Sequence, residues 1–484
     1  MPKSKVFLIV LVSVLLGVAG QRWLGLEYWH CLLVIGAGIV ILLAEKRVLV
    51  VGLALAGFGV GLLRVAIDPP LQIIPEGKGE FVGRVVQPPD IRRDHIKYTI
   101  QITNNKSQNT KNIIEARVLV KSSLYPVYDL GDVISFNCFI RHPGDIEGFA
   151  YDKYLALNGI TASCSSYYLT LEKSGSWSWA GMLFQGRQWV NDQLNKVLPE
   201  PESSFTSGLL IGARRGLPEW LMESFNRTGT THLIALSGFN ITIITNIIML
   251  VAIQVIGRKR AFWLVLVAVS LFVMFVGGQA SIVRAGIMGM IASLGLHIGR
   301  PSRGLNALIL SGVLMVIASP RILLDDVGFQ LSFAATLGLI SLSGHAESLF
   351  SFVPEKLELR QTLSATTAAT VFTLPIILST FGRISLVSLP VNLLVLPFIP
   401  IAMALGVLGV VGSLFGASVG IVFALPAWLV LRLIIMVVQF FSVPDWALIN
   451  FGNGVGYWSM VLYVPIFFFV VWLNKRSRLI SKPL

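Results

Sequence analysis

The sequence predicts a polytopic α-helical membrane protein with about twelve spans and an inserted extracytoplasmic domain that is a small β-barrel. Hydrophobic residues make up 54% of the 484 residues and charged residues only 13%. The apolar residues fall in long runs, which a soluble chain of this size does not need. Between residues 65 and 176 these runs give way to alternating polar and apolar residues, the pattern of half-buried strands.

Each predicted span is an apolar run, although several runs are shorter than the ~20 residues that a perpendicular helix needs. The first run has the length of a signal-peptide core, but no small-residue cleavage site precedes Arg22, so we interpret it as a retained span. Residues 1–64 hold three spans and residues 201–474 form a second transmembrane domain. The runs lie at 6–20, 28–44, 48–63, 241–257, 261–276, 281–299, 304–318, 327–343, 362–381, 387–411, 416–441 and 456–473.

Basic clusters between the spans give their orientation, because cytoplasmic loops carry an excess of Lys and Arg. With a cytoplasmic N-terminus, all of these clusters fall on the cytoplasmic side. They are Lys3 with Lys5, Lys46 with Arg47, Arg258 to Arg260, Arg300 with Arg303, Lys356 with Arg360, and Lys475 with Arg476 and Arg478. The pattern predicts cytoplasmic N and C termini, a basic tail at 475–484, and an external position for residues 65–176.

Five strands can be drawn in the external segment, separated by turn residues such as those at 104–107. In the second strand Ile96, Tyr98 and Ile100 share one face. Five short strands fit a closed barrel of the OB type, whose usual ligands are oligonucleotides or oligosaccharides. The strands are at about 80–87, 95–103, 112–121, 132–141 and 160–168.

This external domain has candidate contacts for single-stranded nucleic acid, because such strands are held by cationic grooves and aromatic faces. The alternative is an ordinary solvated surface, since twelve basic and ten acidic residues lie between Lys78 and Lys173. Cys138 and Cys164 both fall in phase with core positions, so they can form a disulfide in an oxidising compartment if their α-carbons are within ~7 Å. The candidate contacts are Arg92, Arg93, Lys97, Tyr98 and Arg117.

Residues 177–200 predict an interfacial amphipathic helix, with tryptophans suited to the membrane surface. Three arginines near the membrane then fall on its outer side, against the usual rule. Either the topology is drawn wrongly there, or they form an external basic mouth that collects phosphates. These arginines are Arg214, Arg215 and Arg227.

The stretch from Ser224 to Leu324 contains no Asp or Glu, yet it keeps eight Lys and Arg residues. Ion-coupled transporters usually place an acid within a span, so this region suits an anion instead. Arg284 has no carboxylate near it in sequence. It faces either a distant acid, such as Asp325 or Asp326, or water and an anionic ligand.

A polar string at 228–242, interrupted by Gly229 and Gly238, has the composition of a non-helical segment that lines a wet cavity. A plain helix cap is the alternative, although a cap needs only one such residue. Prolines at 390, 397 and 400 predict a broken helix around Asn392. Together these features give a candidate path, although small polar residues also serve ordinary helix packing. Its residues are His232, Ser237, Asn240, Gln279, Arg284, Gln330, Ser332 and Asn392.

The string Thr228-Gly-Thr-Thr-His-Leu-Ile-Ala-Leu-Ser-Gly-Phe-Asn-Ile241 resembles the competence domain of the ComEC family of DNA-uptake channels. The external domain, with its His142-Pro-Gly-Asp segment, is similar to the family's extracytoplasmic domain. Asn240 departs from the family pattern, which has a histidine there, so a proton-linked role at this position is not expected. Further segments resemble the family in the same order, at 209–217, 281–288, 328–335 and 390–394.

The resemblance implies a channel in a bacterial plasma membrane, the inner membrane in a Gram-negative cell, that passes single-stranded DNA inward during natural transformation. It implies a DNA receptor, a separate nuclease and a cytoplasmic ATPase or helicase as partners, besides membrane lipid and possible homodimers. We expect no enzyme activity, because the family's metallo-β-lactamase-type domain has no counterpart here. No metal or other cofactor is expected either, since the six histidines are scattered. A transporter or flippase for another anionic polymer or lipid precursor, and a non-transporting assembly factor, are the alternatives.

Overall fold

The computed structural model describes most of the chain, in twelve segments. They are residues 3–44, 48–92, 94–105, 116–145, 150–175, 178–213, 216–234, 236, 238–299, 303–355, 358–452 and 456–480. Three apolar helices come first: α1 (Lys3–Leu24), α2 (Tyr28–Ala44) and α3 (Leu49–Ala66). Glycines let them approach closely, because a Cβ added at Gly17 would fall on the carbonyl oxygen of Phe58.

A seven-stranded sheet domain follows α3. Its main path runs in the order β6, β4, β3, β1, β5, β7, with β2 paired to β3 at one side. All ladders are antiparallel except that of β4 with β6. The strands are β1 (Gly77–Val85), β2 (Asp90–Ile91), β3 (Ile96–Asn105), β4 (Arg117–Ser122), β5 (Val133–Ile140), β6 (Ile160–Ser165) and β7 (Leu169–Lys173), and a short helix α4 (Tyr151–Ala156) precedes β6.

The predicted sheet domain is therefore present, with β2 and β7 in addition to the five expected strands. In the described residues no continuous ladder closes it into a barrel, because the backbone pairing between the β5 and β6 segments is limited to the isolated bridge of Arg141 with Ser163. Its core is formed by one face of the central strands, including Ile96, Ile100 and Val118. A disulfide joins Cys138 on β5 to Cys164 on β6, with 6.0 Å between the α-carbons.

The next three helices connect the sheet to the second transmembrane domain: α5 (Trp179–Val197), α6 (Glu202–Ile211) and α7 (Glu219–Arg227). α5 is amphipathic as predicted, but much of its polar face packs on α6. Ser207 Oγ donates to Asn191 Oδ1 at 2.8 Å, and Ser203 Oγ donates to Asn195 Oδ1 at 2.6 Å. Every residue of α6 is buried, so this polar helix lies inside the domain.

The remaining helices carry most of the apolar surface. They are α8 (Gly238–Ile256), α9 (Arg258–Val276), α10 (Ala280–His297), α11 (Gly304–Ala318), α12 (Ile322–Asp325), α13 (Val327–Leu349), α14 (Leu359–Phe381), α15 (Ser388–Val395), α16 (Ile399–Ser413), α17 (Ala417–Ser442) and α18 (Tyr463–Ile480). A 3-10 turn at Leu396–Phe398 separates α15 from α16, which is the break that the prolines predicted. Strands β8 (Arg383–Ser385) and β9 (Leu448–Asn450) form a small separate sheet.

Six helical segments in the described part of the chain are long and apolar enough to cross a membrane. Six shorter apolar helices fall on the remaining predicted runs. The protein is therefore a helical membrane protein with a sheet domain near its N-terminus. The exact number of crossings stays a prediction.

Candidate functional site

Arg284 lies in the second turn of α10, and its side chain crosses to α13. Its Nη1 donates to the carbonyl oxygen of Ser332 and to the hydroxyl of Thr336. The other face of the guanidinium lies against α8, because a Cβ added at Gly238 would come within 2.7 Å of Nη2. The residue is 9% exposed, and its Nε is buried without a hydrogen-bond partner among the residues that the structure describes.

No carboxylate in the described part of the chain pairs with this guanidinium. Asp325 instead accepts from Arg22 Nη1 at 2.7 Å, and Asp326 accepts from the backbone N–H of Phe329 at the start of α13. The two acids proposed as distant partners are thus engaged elsewhere. Within the described residues, the hydrogen bonds of Arg284 go to a neutral carbonyl and a neutral hydroxyl, and an anionic partner stays a prediction.

The polar string at 228–242 combines a helix cap with an irregular connection. The hydroxyl of Thr228 donates to the carbonyl of Ser224 at 2.9 Å, and Thr231 Oγ1 donates to Asn226 Oδ1 at 2.9 Å. These threonines therefore bond to the last turn of α7; the cap considered from the sequence was at the start of the 241–257 span, where Ser237 lies outside the described residues. A 3-10 turn follows at Thr231–Leu233, and the exposed His232 lies on it.

The end of the string ties α6, α8 and α10 together, and we call this contact the α6–α8–α10 junction. Asn240 is 2% exposed, and its Nδ2 donates to the carbonyl of Leu209 at 3.2 Å. Ser281 Oγ donates to the carbonyl of Leu236 at 3.3 Å. The half-buried Gln279 lies opposite Gly212, whose added Cβ would be 3.6 Å from its Nε2. Ser237, also predicted for the path, lies outside the described residues.

The other predicted path residues occupy two places. Gln330 holds α12 to α13, since its Nε2 donates to the carbonyls of Leu323 at 3.2 Å and Leu324 at 2.9 Å. Ser332 contacts Arg284 through its backbone oxygen. Asn392 lies on α15, 4% exposed, with its Oδ1 buried and without a hydrogen-bond partner among the described residues.

Arg227 of the predicted basic mouth is bound to the chain itself. It donates to the carbonyls of Ser442 at 2.8 Å and Pro444 at 3.0 Å, and its Nη2 is 3.6 Å from the carboxylate of the fully exposed Asp445. The arginine therefore joins the ends of α7 and α17. Arg214 and Arg215 lie outside the described residues.

In the sheet domain the structure corrects one predicted contact. Tyr98 is fully buried, and its hydroxyl accepts from the backbone N–H of Tyr128 at 3.1 Å, so it cannot stack on a base. Arg117 donates to the carbonyl of Asn158 at 2.8 Å. Arg92 pairs with Asp90 at 2.8 Å, and Arg93 lies outside the described residues.

Lys97 lies between a cation and a carboxylate on the outer face of the sheet. It pairs in register with Lys121 on β4 and with Asp90 on β2. Partial burial lowers the pKa of its ammonium group, the charges of Arg92 and Lys121 lower it further, and the charges of Asp90 and Asp94 act in the opposite direction. The surroundings of Lys97 therefore combine cations with carboxylates, and with Lys97 itself the cations are in small excess.

Tyr125, which the sequence already suggested as a stacking residue, is one of three exposed tyrosines in the loops of the sheet domain. Tyr125, Tyr167 and Tyr168 are 81%, 78% and 88% exposed. Ser123 Oγ is within hydrogen-bond distance of the carbonyls of Tyr125, at 2.9 Å, and Tyr167, at 3.2 Å, so two loops meet there. Free aromatic faces of this kind can stack on bases. Their positions in loops could be predicted from the sequence, but only the fold shows that the two loops lie side by side.

An ion pair inside the transmembrane domain was also missed. Glu202 on α6 is 1% exposed, and its Oε1 lies 3.4 Å from Nη1 of Arg432 on α17. Arg432 lies near the middle of a 26-residue apolar helix. The isolated arginine within that apolar run was the signal for such a partner.

Comparison with known proteins identifies the family. A family model described as "Competence protein" matches residues 209–476, which include Arg284 and the α6–α8–α10 junction. ComE operon protein 3 of Bacillus subtilis (strain 168) is 30% identical over 239 residues, which cover 49% of this chain and 30% of that protein. No solved structure matches. The resemblance seen in the sequence is thus confirmed, and the chain belongs to the competence protein family that includes the ComEC proteins.

Proposed function

We propose that this protein is the membrane channel through which single-stranded DNA enters the cytoplasm during natural transformation. The observation that carries the proposal is a buried arginine, inside the segment matched by the family, that the described residues leave without a carboxylate. A buried unpaired charge is costly and persists where function needs it. A phosphodiester passing the α8, α10 and α13 contact would supply the missing anion.

The proposed topology has twelve crossings and cytoplasmic N and C termini. It places the C-terminal ends of α1, α3 and α11 on the outer side, and three contacts support that placement. Arg22 pairs with Asp325 at 2.7 Å, Arg321 with Asp68 at 3.3 Å, and Arg64 donates to the carbonyl of Ile317 at 2.7 Å. Contacts between these ends are expected if all three lie on one side of the membrane.

We assign the domains as the sequence divides them. Residues 1–64 form the N-terminal helices, 65–176 the OB-like external domain, 177–200 the interfacial helix and 201–474 the channel domain, with a cytoplasmic tail at 475–484. The parallel pairing of β4 with β6 supports an OB-like arrangement, although its closure rests on one bridge. Lys97 and the exposed tyrosines support DNA contact by this domain.

Other proteins would supply the force and the single strand. The sequence contains no Gly-x-x-x-x-Gly-Lys-Ser/Thr phosphate loop, so a cytoplasmic ATPase or helicase would pull the strand. A DNA receptor would deliver the duplex and a nuclease would convert it. The channel itself would supply a path in which neutral and cationic side chains make weak contacts with the DNA.

A deletion strain tests this function when surface binding and internal uptake of labelled DNA are measured separately. We expect DNA to collect outside the membrane while internalised DNA and transformants fall to background, and the plasmid-borne gene to restore both. Normal transformation in the deletion strain would exclude the function. Loss of another anionic polymer or lipid precursor from the cell surface, with normal DNA uptake, would favour the transporter alternative.

A further inference from the structure

A polar cleft of about 360 Å³ lies between the sheet domain and the α5–α6 pair. Its volume is within the ~300–1,000 Å³ of small-ligand sites, which often form where two domains meet. Arg92 reaches it from the loop after β2, and the rest of the wall comes mostly from α5 and the residues around α6. The polar lining includes Arg92, Arg187, Gln188, Asn191, Asp192 and Glu200.

The cleft is lined by both cations and carboxylates. Among the described lining residues the cations are Arg92, which also pairs with Asp90 at 2.8 Å, and Arg187, which also donates to the carbonyl of Ile211 at 3.3 Å. Two carboxylates oppose an anion: Asp192, which is exposed, and Glu200, which accepts from Ser204 Oγ at 2.7 Å. Gln188 and Asn191 add amide groups, which both donate and accept hydrogen bonds.

A row of side chains on the sheet leads towards the cleft, and we call it the basic row for its two lysines, although Asp90 lies at its end. Residues aligned across four strands place Asp90 beside Lys97, Lys97 beside Lys121, and Lys121 beside Ser165. Arg92 follows directly after β2, at the end of this row, and it also lines the cleft. The exposed tyrosines begin two residues beyond Ser165. An extended anionic chain on this face would therefore be guided to the cleft.

We propose that the cleft holds one nucleotide of the entering single strand, with its phosphate on Arg92 and Arg187 and its base or sugar on the amides of α5. This inference rests on the proposed function and adds a binding site to it. The site would pass the strand from the sheet domain to the transmembrane domain. An amide group can both donate hydrogen bonds to a base and accept them from it, whichever base is present. The contact would therefore tolerate any sequence.

Binding of a fluorescein-labelled ten-thymidine strand to the full-length protein in detergent tests the site. Arg92→Gln should weaken binding about three- to ten-fold, and Asp192→Asn should strengthen it by a similar factor, because one removes attraction and the other repulsion. Arg84→Gln is the matched control, since Arg84 is an exposed cation on β1 that does not line the cleft. A misfolded variant would not bind more tightly, so the gain at Asp192 guards against that explanation.

Crosslinking locates the contact directly. A strand carrying 4-thiothymidine should crosslink to peptides from 184–195, and an excess of inorganic phosphate should compete poorly, since it supplies neither base nor sugar. Crosslinks confined to other segments, or equal effects of the Arg92, Asp192 and Arg84 variants, would overturn the site. The channel function would survive that result, because it fails only if the deletion strain transforms normally.

Discussion

Arg284 concentrates three unfavourable features at one residue. It is a buried cation, it lies near the N-terminus of α10 where the helix dipole is positive, and its Nε has no partner in the described residues. The carbonyl of Ser332 and the hydroxyl of Thr336 offset part of the cost. A residue retained for packing alone would more simply be apolar, because replacing a buried charge with an apolar side chain is often neutral or stabilising.

We expect Arg284→Glu to stop DNA entering the cytoplasm while DNA still accumulates in a protected state outside. A carboxylate there would repel a phosphate, and poor screening in a narrow pore enlarges that repulsion. Arg284→Lys should keep part of the activity, since the charge survives but the planar fork is lost. Internalised and surface-bound DNA are measured separately, at matched protein abundance.

Arg303→Glu serves as the control, because Arg303 precedes α11 with an exposed side chain. It should transform far better than the Arg284 variant. A stable Arg284→Glu protein with full transformation would show that the arginine is only a packing residue.

At the scale of single elements, close helix contacts depend on particular glycines. A Cβ added at Gly338 on α13 would fall on the carbonyl oxygen of Ala368 on α14. At Gly344, on the same helix, an added Cβ would meet nothing within 4 Å. α13 also carries the acceptors for Arg284, so its packing fixes their position.

Gly338→Ala should therefore lower the midpoint of thermal unfolding in detergent, at a cost of about 1–3 kcal/mol for overpacking. Gly344→Ala should leave the midpoint unchanged or raise it slightly, because alanine favours the helix by about 0.5–1 kcal/mol over glycine. Equal midpoints for the two variants would contradict the close α13–α14 contact.

The disulfide between β5 and β6 makes a separate prediction. Alkylation of protein unfolded without reductant should label Cys31 alone, and prior reduction should expose two further thiols. Mass spectrometry counts the labels. Three labels without reductant would show that Cys138 and Cys164 are not joined, whereas loss of a native disulfide from a small secreted domain typically costs ~2–5 kcal/mol.

Elements with a local signal were predictable, and those set by distant partners were not. Alternation in β3 placed Tyr98 with Ile96 and Ile100 on one face, and the structure buries all three, so periodicity was a better guide than residue type. The polar face of α5 suggested a water-facing helix. The serines that bond to this face lie on α6, the next helix of the chain. No pattern in the sequence indicates that the two helices pack together.

At the scale of the whole molecule, the sequence predicted the helical membrane class and the position of the sheet domain, because long apolar runs and alternation are strong signals. The order of the strands in the sheet could not be predicted from the sequence, because the parallel pairing of β4 with β6 joins residues about forty positions apart. The same limit applies to the site. Arg284 was identified as a candidate, but its contacts on α8 and α13 depend on how the helices pack.

The orientation of the whole molecule gives the last prediction. In a Cys31→Ser protein, one cysteine is introduced at a time, in place of Tyr167, Lys5 or Lys475. In intact cells the cysteine at position 167, on the sheet domain, should react with a membrane-impermeant maleimide. The cysteines at positions 5 and 475, near the termini, should not react. For Gram-negative cells the outer membrane is first made permeable. The basic clusters between the helices favour the cytoplasmic side. The contacts of Arg22, Arg64 and Arg321 join helix ends that lie on the other side of the membrane in this topology, next to the sheet domain. Reaction at Lys475 before the cells are lysed would invert the topology and would move the sheet domain, with its basic row, away from incoming DNA.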